Sequence, residues 1–111
     1  IKTFRAELDP EKFGLDVKAY VFLQEDPEDS SREKIEEEIN KISEVSRFYR
    51  LFGRFSGILE VWTNERDELT SLVKKIHEIE GIRETETFIV HDVIKEDPDS
   101  PLLKVLEKKS E

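Results

Sequence analysis

The sequence predicts an α+β fold, a four-stranded antiparallel sheet with two helices on one face, in the order strand, helix, strand, strand, helix, strand. Three observations predict it. Residues 15–24 alternate apolar and polar side chains with the two-residue period of a strand. Residues 30–42 and 64–79 repeat apolar side chains at the spacing of helices. Gly53 and Gly57 tie two further short strands together, and Gly81 separates the second helix from a last, longer strand. A chain of 111 residues argues for one domain.

Residues 1–14 read as an extended lead-in. Phe4, Ala6 and Leu8 alternate with charged residues, Asp9-Pro10 breaks the pattern, and residues 11–14 turn. In the first strand of the body, Leu15, Val17, Ala19, Val21 and Leu23 share one face; the other, with Tyr20 and Phe22, is aromatic at its centre. The acidic loop 25–29 lacks the alternating ligands and glycine of a calcium loop, so it reads as anionic residues placed before a helix. Ser30 and Glu33 form a capping box for that helix, whose stripe is Ile35, Ile39 and Ile42.

Residues 45–52 are the second strand, with Phe48 and Phe52 expected on one face and Val45, Tyr49 and Leu51 on the other. The connection Gly53-Arg54-Phe55-Ser56-Gly57 leads into a third strand at 58–63. Asn64 is expected to cap the second helix, which carries Leu69, Leu72, Val73, Ile76 and Ile79, with Gly81 as C-cap. The last strand is expected over residues 81–95 and has a polar first half. Ser100 and Pro101 then open a short helix whose apolar residues imply docking on the body or on a neighbouring subunit; the last five residues are expected to fray.

This double βαβ is the ferredoxin-like βαββαβ layout. Its helices leave one sheet face bare, and Tyr20, Phe22, Phe48, Phe52 and Trp62 are candidates for that face, with His91 as a further interface residue. Soluble monomers avoid so large an aromatic patch, which implies a twofold homodimer packed sheet to sheet, the dimeric α+β barrel type.

Composition narrows the function. With 41% charged residues and a net charge of −9, the chain is poorly suited to binding nucleic acid phosphates or anionic membranes. There is no cysteine, no bilayer-length apolar run and no secretory segment, so a cytoplasmic location is expected. Abundant Lys and Glu without Cys or Met lean toward a thermophile. The chain starts at Ile1 rather than Met, from which an upstream segment is expected. Neither His77 nor His91 has a partner at metal-ligand spacing, and no phosphate-cradling glycine loop is present. The expectation is a non-enzymatic binding or regulatory module that needs no cofactor and no metal.

The stretch Gly81-Ile82-Arg83-Glu84-Thr85-Glu86-Thr87-Phe88-Ile89-Val90, closed by Lys95, resembles the last strand of the effector-binding (RAM) domain of Lrp/AsnC, or feast/famine, transcription regulators, where G-V-x-x-T-x-T precedes apolar residues. Phe52-Gly53-Arg54-Phe55-Ser56-Gly57 resembles that family's T-G-x-Y/F-D loop. Residues 1–14 resemble the strand and linker leaving its helix-turn-helix domain, and the match runs over residues 1–95, leaving 96–111 as a tail.

The resemblance implies a domain at 15–95 that dimerises through its sheets, with dimers assembling into rings of four (an octamer). It implies a small-molecule effector, usually an amino acid, bound between dimers, and DNA contact only through a domain absent from this chain. By position, the effector site comprises Gly53, Arg54, Phe55, Ser56 and Gly57, with Glu84, Thr85 and Thr87 from the opposing strand. Ser56 stands where the family has an acid, removing a charge-assisted partner for an ammonium group. Other readings are a stand-alone domain of the family, an ACT-like regulatory module, and a small α+β barrel enzyme using His91 or Trp62. Residues 25–29 lack the glycine that ACT domains often carry in their first strand–helix loop.

Overall fold

In the computed structural model, which describes residues 10–27 and 32–109, a 3-10 turn at Pro10–Phe13 precedes the first strand. Gly14 ends it at φ 83°, in the left-handed region that favours glycine. The expected strand at Phe4–Leu8 and the capping box on Ser30 lie outside the described residues.

The sheet is built from β1 (Val17–Glu25), β2 (Val45–Arg50), β3 (Gly57–Thr63) and β4 (Ile82–Ile89), and the helices are α1 (Arg32–Asn40), α2 (Arg66–His77) and α3 (Ser100–Lys109). The strand order is β2-β3-β1-β4 with every pairing antiparallel, so β1 and β3 are central and β2 and β4 form the edges. This is the expected ferredoxin-like α+β arrangement, with α3 added.

Alternation in β1 buries Ala19, Val21 and Leu23 completely. They meet Leu59 and Val61 of β3, Ile35 and Ile39 of α1, Leu69, Leu72 and Ile76 of α2, and Ile42 and Ile82. Each buried Val, Leu or Ile among them contributes roughly 1.5–3 kcal/mol by leaving water. Thr63, the buried polar residue beside them, donates its hydroxyl to the Glu65 carbonyl at 3.1 Å.

Several expectations are corrected. First, Phe48 is on the helix-covered face. β2 carries a bulge: Val45 pairs with Val61 and Arg47 with Glu60, so Ser46 is an extra residue and alternation changes phase. Phe48 therefore opposes Leu59 and packs on the core, while Tyr49 opposes Ile58 and faces outward, half-exposed. Second, β2 ends at Arg50, so Phe52 is on neither sheet face and is fully exposed in the loop.

Third, β4 ends at Ile89 rather than at 95, which leaves His91 exposed in the segment after the strand. Fourth, the N-cap of α2 is Glu65 and not Asn64; the Asn64 backbone N–H instead donates to the Glu68 carboxylate at 3.0 Å. The C-cap of α2 is Glu78, and Gly81, at φ 97°, turns the chain into β4. The helix α3 extends to Lys109, with Leu102, Leu103, Val105 and Leu106 all more than half exposed, so it does not dock on the body.

Candidate functional site: a loop against the open sheet face

The open face carries Lys18, Tyr20 and Phe22 of β1, Ile58, Glu60 and Trp62 of β3, Arg47 and Tyr49 of β2, and Glu84, Glu86 and Phe88 of β4. The cross-strand partners Tyr20 and Glu60, Tyr20 and Phe88, and Phe22 and Glu86 fix this assignment. Two structured regions lie on it, one at each end.

At the first end the 53–57 loop folds onto β1. Ser56 donates its backbone N–H to the Leu23 carbonyl at 2.9 Å and its hydroxyl to the same oxygen at 3.3 Å. Leu51 N–H donates to the Ser56 carbonyl at 2.9 Å, and Gln24 Nε2 to the Arg54 carbonyl at 3.4 Å. Glycine at 57 leaves room for the Phe48 ring, since an added Cβ would lie a tight 3.0 Å from Phe48 Cε1. Phe55 stacks on Phe22 at 5.3 Å between ring centroids, and Phe22 meets Phe88 edge-on at 5.6 Å. Arg54 lies over the Phe55 ring at 5.2 Å and 3.9 Å from Glu84, with both side chains largely in water. The loop thus presents a cation beside a carboxylate on an aromatic floor.

Not all the predicted site residues gather there. The loop residues and Glu84 come together. Thr85 and Thr87 pair opposite Leu23 and Val21 and so point to the covered face, where Thr85 Oγ1 lies 3.5 Å from His77 Nδ1. Strand alternation alone dictates this split, since Glu84 and Thr85 are neighbours. The Ser56 hydroxyl is turned inward to the strand rather than outward as a ligand group.

At the other end sits a network that sequence reasoning missed. Glu60 accepts from Ser46 Oγ at 3.0 Å, Trp62 Nε1 at 3.2 Å and Tyr20 OH at 3.3 Å. Partial burial pushes its carboxyl up, but the bonds from Ser46 and Trp62 and the charges of Lys18 and Arg47 outweigh this and hold it below the usual range. Lys18 lies over the Trp62 ring at 5.2 Å. The hydroxyl of Tyr49 and the charge of Glu60 hold the Arg47 guanidinium above its ordinary value. These residues floor a cleft of about 960 Å³ whose other wall is the segment after β4, including Asp92, Ile94 and Asp97. The available signal was a lone acid, Glu60, inside the apolar strand Ile58-Leu59-Glu60-Val61-Trp62.

Sequence reasoning also missed Arg50 on the covered face. It bonds Glu25 of β1, Glu36 of α1 at 3.0 Å and the Arg32 carbonyl at 3.5 Å, and stacks on Phe48 at 4.9 Å. It ties two strands to a helix one residue before the loop departs. Among the described residues, no group of three or more His, Asp or Glu could hold a metal ion, and no helix is long and apolar enough to cross a membrane.

Fold and site define an α+β domain with one open sheet face. The family described as the Lrp/AsnC ligand binding domain matches residues 18–100. HTH-type transcriptional regulator FL11 of Pyrococcus furiosus is 26% identical over 102 residues, which cover 92% of this chain and 66% of that protein. An uncharacterized HTH-type transcriptional regulator of Pyrococcus abyssi is 30% identical over 96 residues, 86% of this chain and 60% of its own length. The chain therefore spans less than two thirds of these relatives.

Among solved structures, a Neisseria meningitidis transcriptional regulator in complex with L-Met superposes with a TM-score of 0.84 at 20% identity, covering 95% of this chain and 69% of that one. The feast or famine regulatory protein of M. tuberculosis complexed with L-methionine gives 0.73 at 25% identity, covering 86% and 64%. The chain belongs to the Lrp/AsnC family of transcription regulators and carries its ligand-binding domain.

Proposed function

We propose that the chain is the effector-binding and oligomerisation domain of an Lrp/AsnC-type transcription regulator, that its effector is an amino acid, and that DNA is contacted only through a separate helix-turn-helix domain. The observation that carries this reading is the Arg54–Glu84 pair at the 53–57 loop, 3.9 Å apart, with Arg54 mostly and Glu84 about half exposed. A zwitterion needs a cation for its carboxylate and an anion for its ammonium. Arg54 offers the first and Glu84 the second, the role that Ser56 cannot fill while its hydroxyl bonds Leu23. The aromatic floor of Phe55 and Phe22 suits an apolar side chain, and two solved relatives hold methionine.

The half-exposed Tyr49 and Phe88 on the open face support a sheet-to-sheet homodimer. In a ring of four dimers, a loop from one dimer would approach the β4 edge of the next, where Thr85 and Thr87 line the far side. An effector that prefers the assembled ring shifts assembly by its differential affinity, and so respaces attached DNA-binding domains. The relatives at the sequence level are transcription regulators, which supports a regulatory rather than an enzymatic role.

The test is calorimetric titration of L-methionine and a panel of other amino acids into wild type and Arg54→Ala. Binding of at least one, weakened tenfold or more by the substitution, is the expected result; removing a charge-assisted bond costs about 1.5–3 kcal/mol. Absence of binding across the panel, or affinity indifferent to Arg54, would overturn the reading.

A further inference from the structure

We infer that α3 is an intersubunit arm: its apolar stripe docks on a second copy of this chain and supplies the apolar area that the open sheet face lacks. This rests on the dimer reading above and adds the element that completes it. Of the eleven exposed large hydrophobic side chains among the described residues, six belong to the segment after β4, namely Val93, Ile94, Leu102, Leu103, Val105 and Leu106. At 100° per residue, Leu102, Leu103, Val105 and Leu106 fall within one half of the helix surface, with Lys104, Glu107 and Lys108 on the other. A ten-residue helix is marginal in water without packing, yet this one leaves its whole stripe bare.

Three features select a second copy as the occupant. Area is the first. The centre of the open face is polar, with Glu60, Lys18 and Arg47, so its exposed apolar surface comes mainly from Tyr49 and Phe88. A specific interface buries about 800 Å² per partner. The six tail residues, each at least half exposed, add on the order of 500 Å². Continuity is the second: the segment leading to α3 forms a wall of the cleft over the open face, so a molecule seated on that face must meet it. Charge is the third. The chain has a net charge of −9, and Lys108 borders the stripe on its Val105 side, complementary to an acidic partner with carboxylates such as Asp92, Glu96 and Asp97, while Glu107 borders the other side.

The test follows amide hydrogen exchange of residues 102–109 across a concentration series of the wild-type chain, beside sedimentation of wild type and a Leu102→Glu/Leu106→Glu variant. The expected result is protection of these amides at least about tenfold stronger above the dimerisation midpoint than below it, with the variant's dimer dissociation constant raised tenfold or more. A dimer whose tail amides exchange at the free-peptide rate at every concentration overturns the arm and leaves the dimer standing. Tail protection independent of concentration overturns it too, because the helix would then pack on its own chain. A wild-type chain that stays folded and monomeric at millimolar concentration removes the dimer reading itself, and the arm with it.

Discussion

Replacing Arg50 by methionine keeps a long apolar stem but removes the charge that binds β2 to β1 and α1. Arg50 keeps 26% of its side chain exposed and Glu25 only 13%, so the pair is mostly out of water and weakly screened. The substitution strands Glu25 beside the core and frees Glu36, which is 43% exposed and easily rehydrated. Breaking a buried pair costs about 3–5 kcal/mol. Partial solvation of both partners lowers this to roughly 2 kcal/mol, and loss of the stack on Phe48 adds about 0.5–1 kcal/mol. Urea unfolding at fixed protein concentration should show an earlier midpoint with unchanged slope, corresponding to a loss of about 2–3 kcal/mol. In a double-mutant cycle with Glu25→Gln, most of that cost should vanish, since the stranded charge is then absent. A loss below about 0.5 kcal/mol, or strict additivity with Glu25→Gln, would refute the assignment of Arg50 as a clamp.

The folded-state pKa of Glu60 is depressed, so its contribution is present above the unfolded carboxylate value of about 4.3 and fades as pH falls through the folded value. Wild type should therefore lose more stability on acidification below about pH 5 than Glu60→Gln does, read from urea midpoints against pH. Phe48→Ala should cost about 2–3 kcal/mol of stability by leaving a void against the core, whereas Tyr49→Ala should cost under about 0.5 kcal/mol and weaken self-association instead; parallel unfolding and sedimentation separate the two. Gly57→Ala should lower stability by about 1–2 kcal/mol because its Cβ meets the Phe48 ring at 3.0 Å, and pairing it with Phe48→Leu should restore part of the loss in the same assay.

Period-two and helical patterns sufficed where the chain follows them without interruption. Val17 to Leu23, Ile58 to Thr63 and Leu69 to Ile76 are burial patterns that the order of apolar and polar residues dictates. They were legible because one face of each element must leave water. Phe48 was not, because a single additional residue at Ser46 inverts the face of everything after it, and nothing local marks a bulge. The end of β4 was misplaced because Val90 to Ile94 is as apolar as a strand, while β1 ceases to offer a partner beyond Val17. At the candidate site, the loop and Glu84 were legible through resemblance and came together in space. The opposed directions of Glu84 and Thr85 were readable from alternation and were not read. Arg50 and most of the Glu60 network escaped notice because their partners (Glu25 and Glu36 for Arg50, Ser46 and Tyr20 for Glu60) are distant in sequence, which no spacing rule connects.

Among the described residues β4 is an outermost strand of the sheet, and one side of its backbone has no described strand beside it. An open ladder of this kind invites addition of further chains and is the geometry from which fibrils grow. Arg83, Glu84 and Glu86 interrupt it: an antiparallel newcomer of the same sequence would set carboxylate near carboxylate. That protection is electrostatic and so depends on ionisation. Near the sequence isoelectric point of about 4.8 the chain loses its net repulsion, which makes mildly acidic buffer the condition in which the protein is least able to stay dispersed.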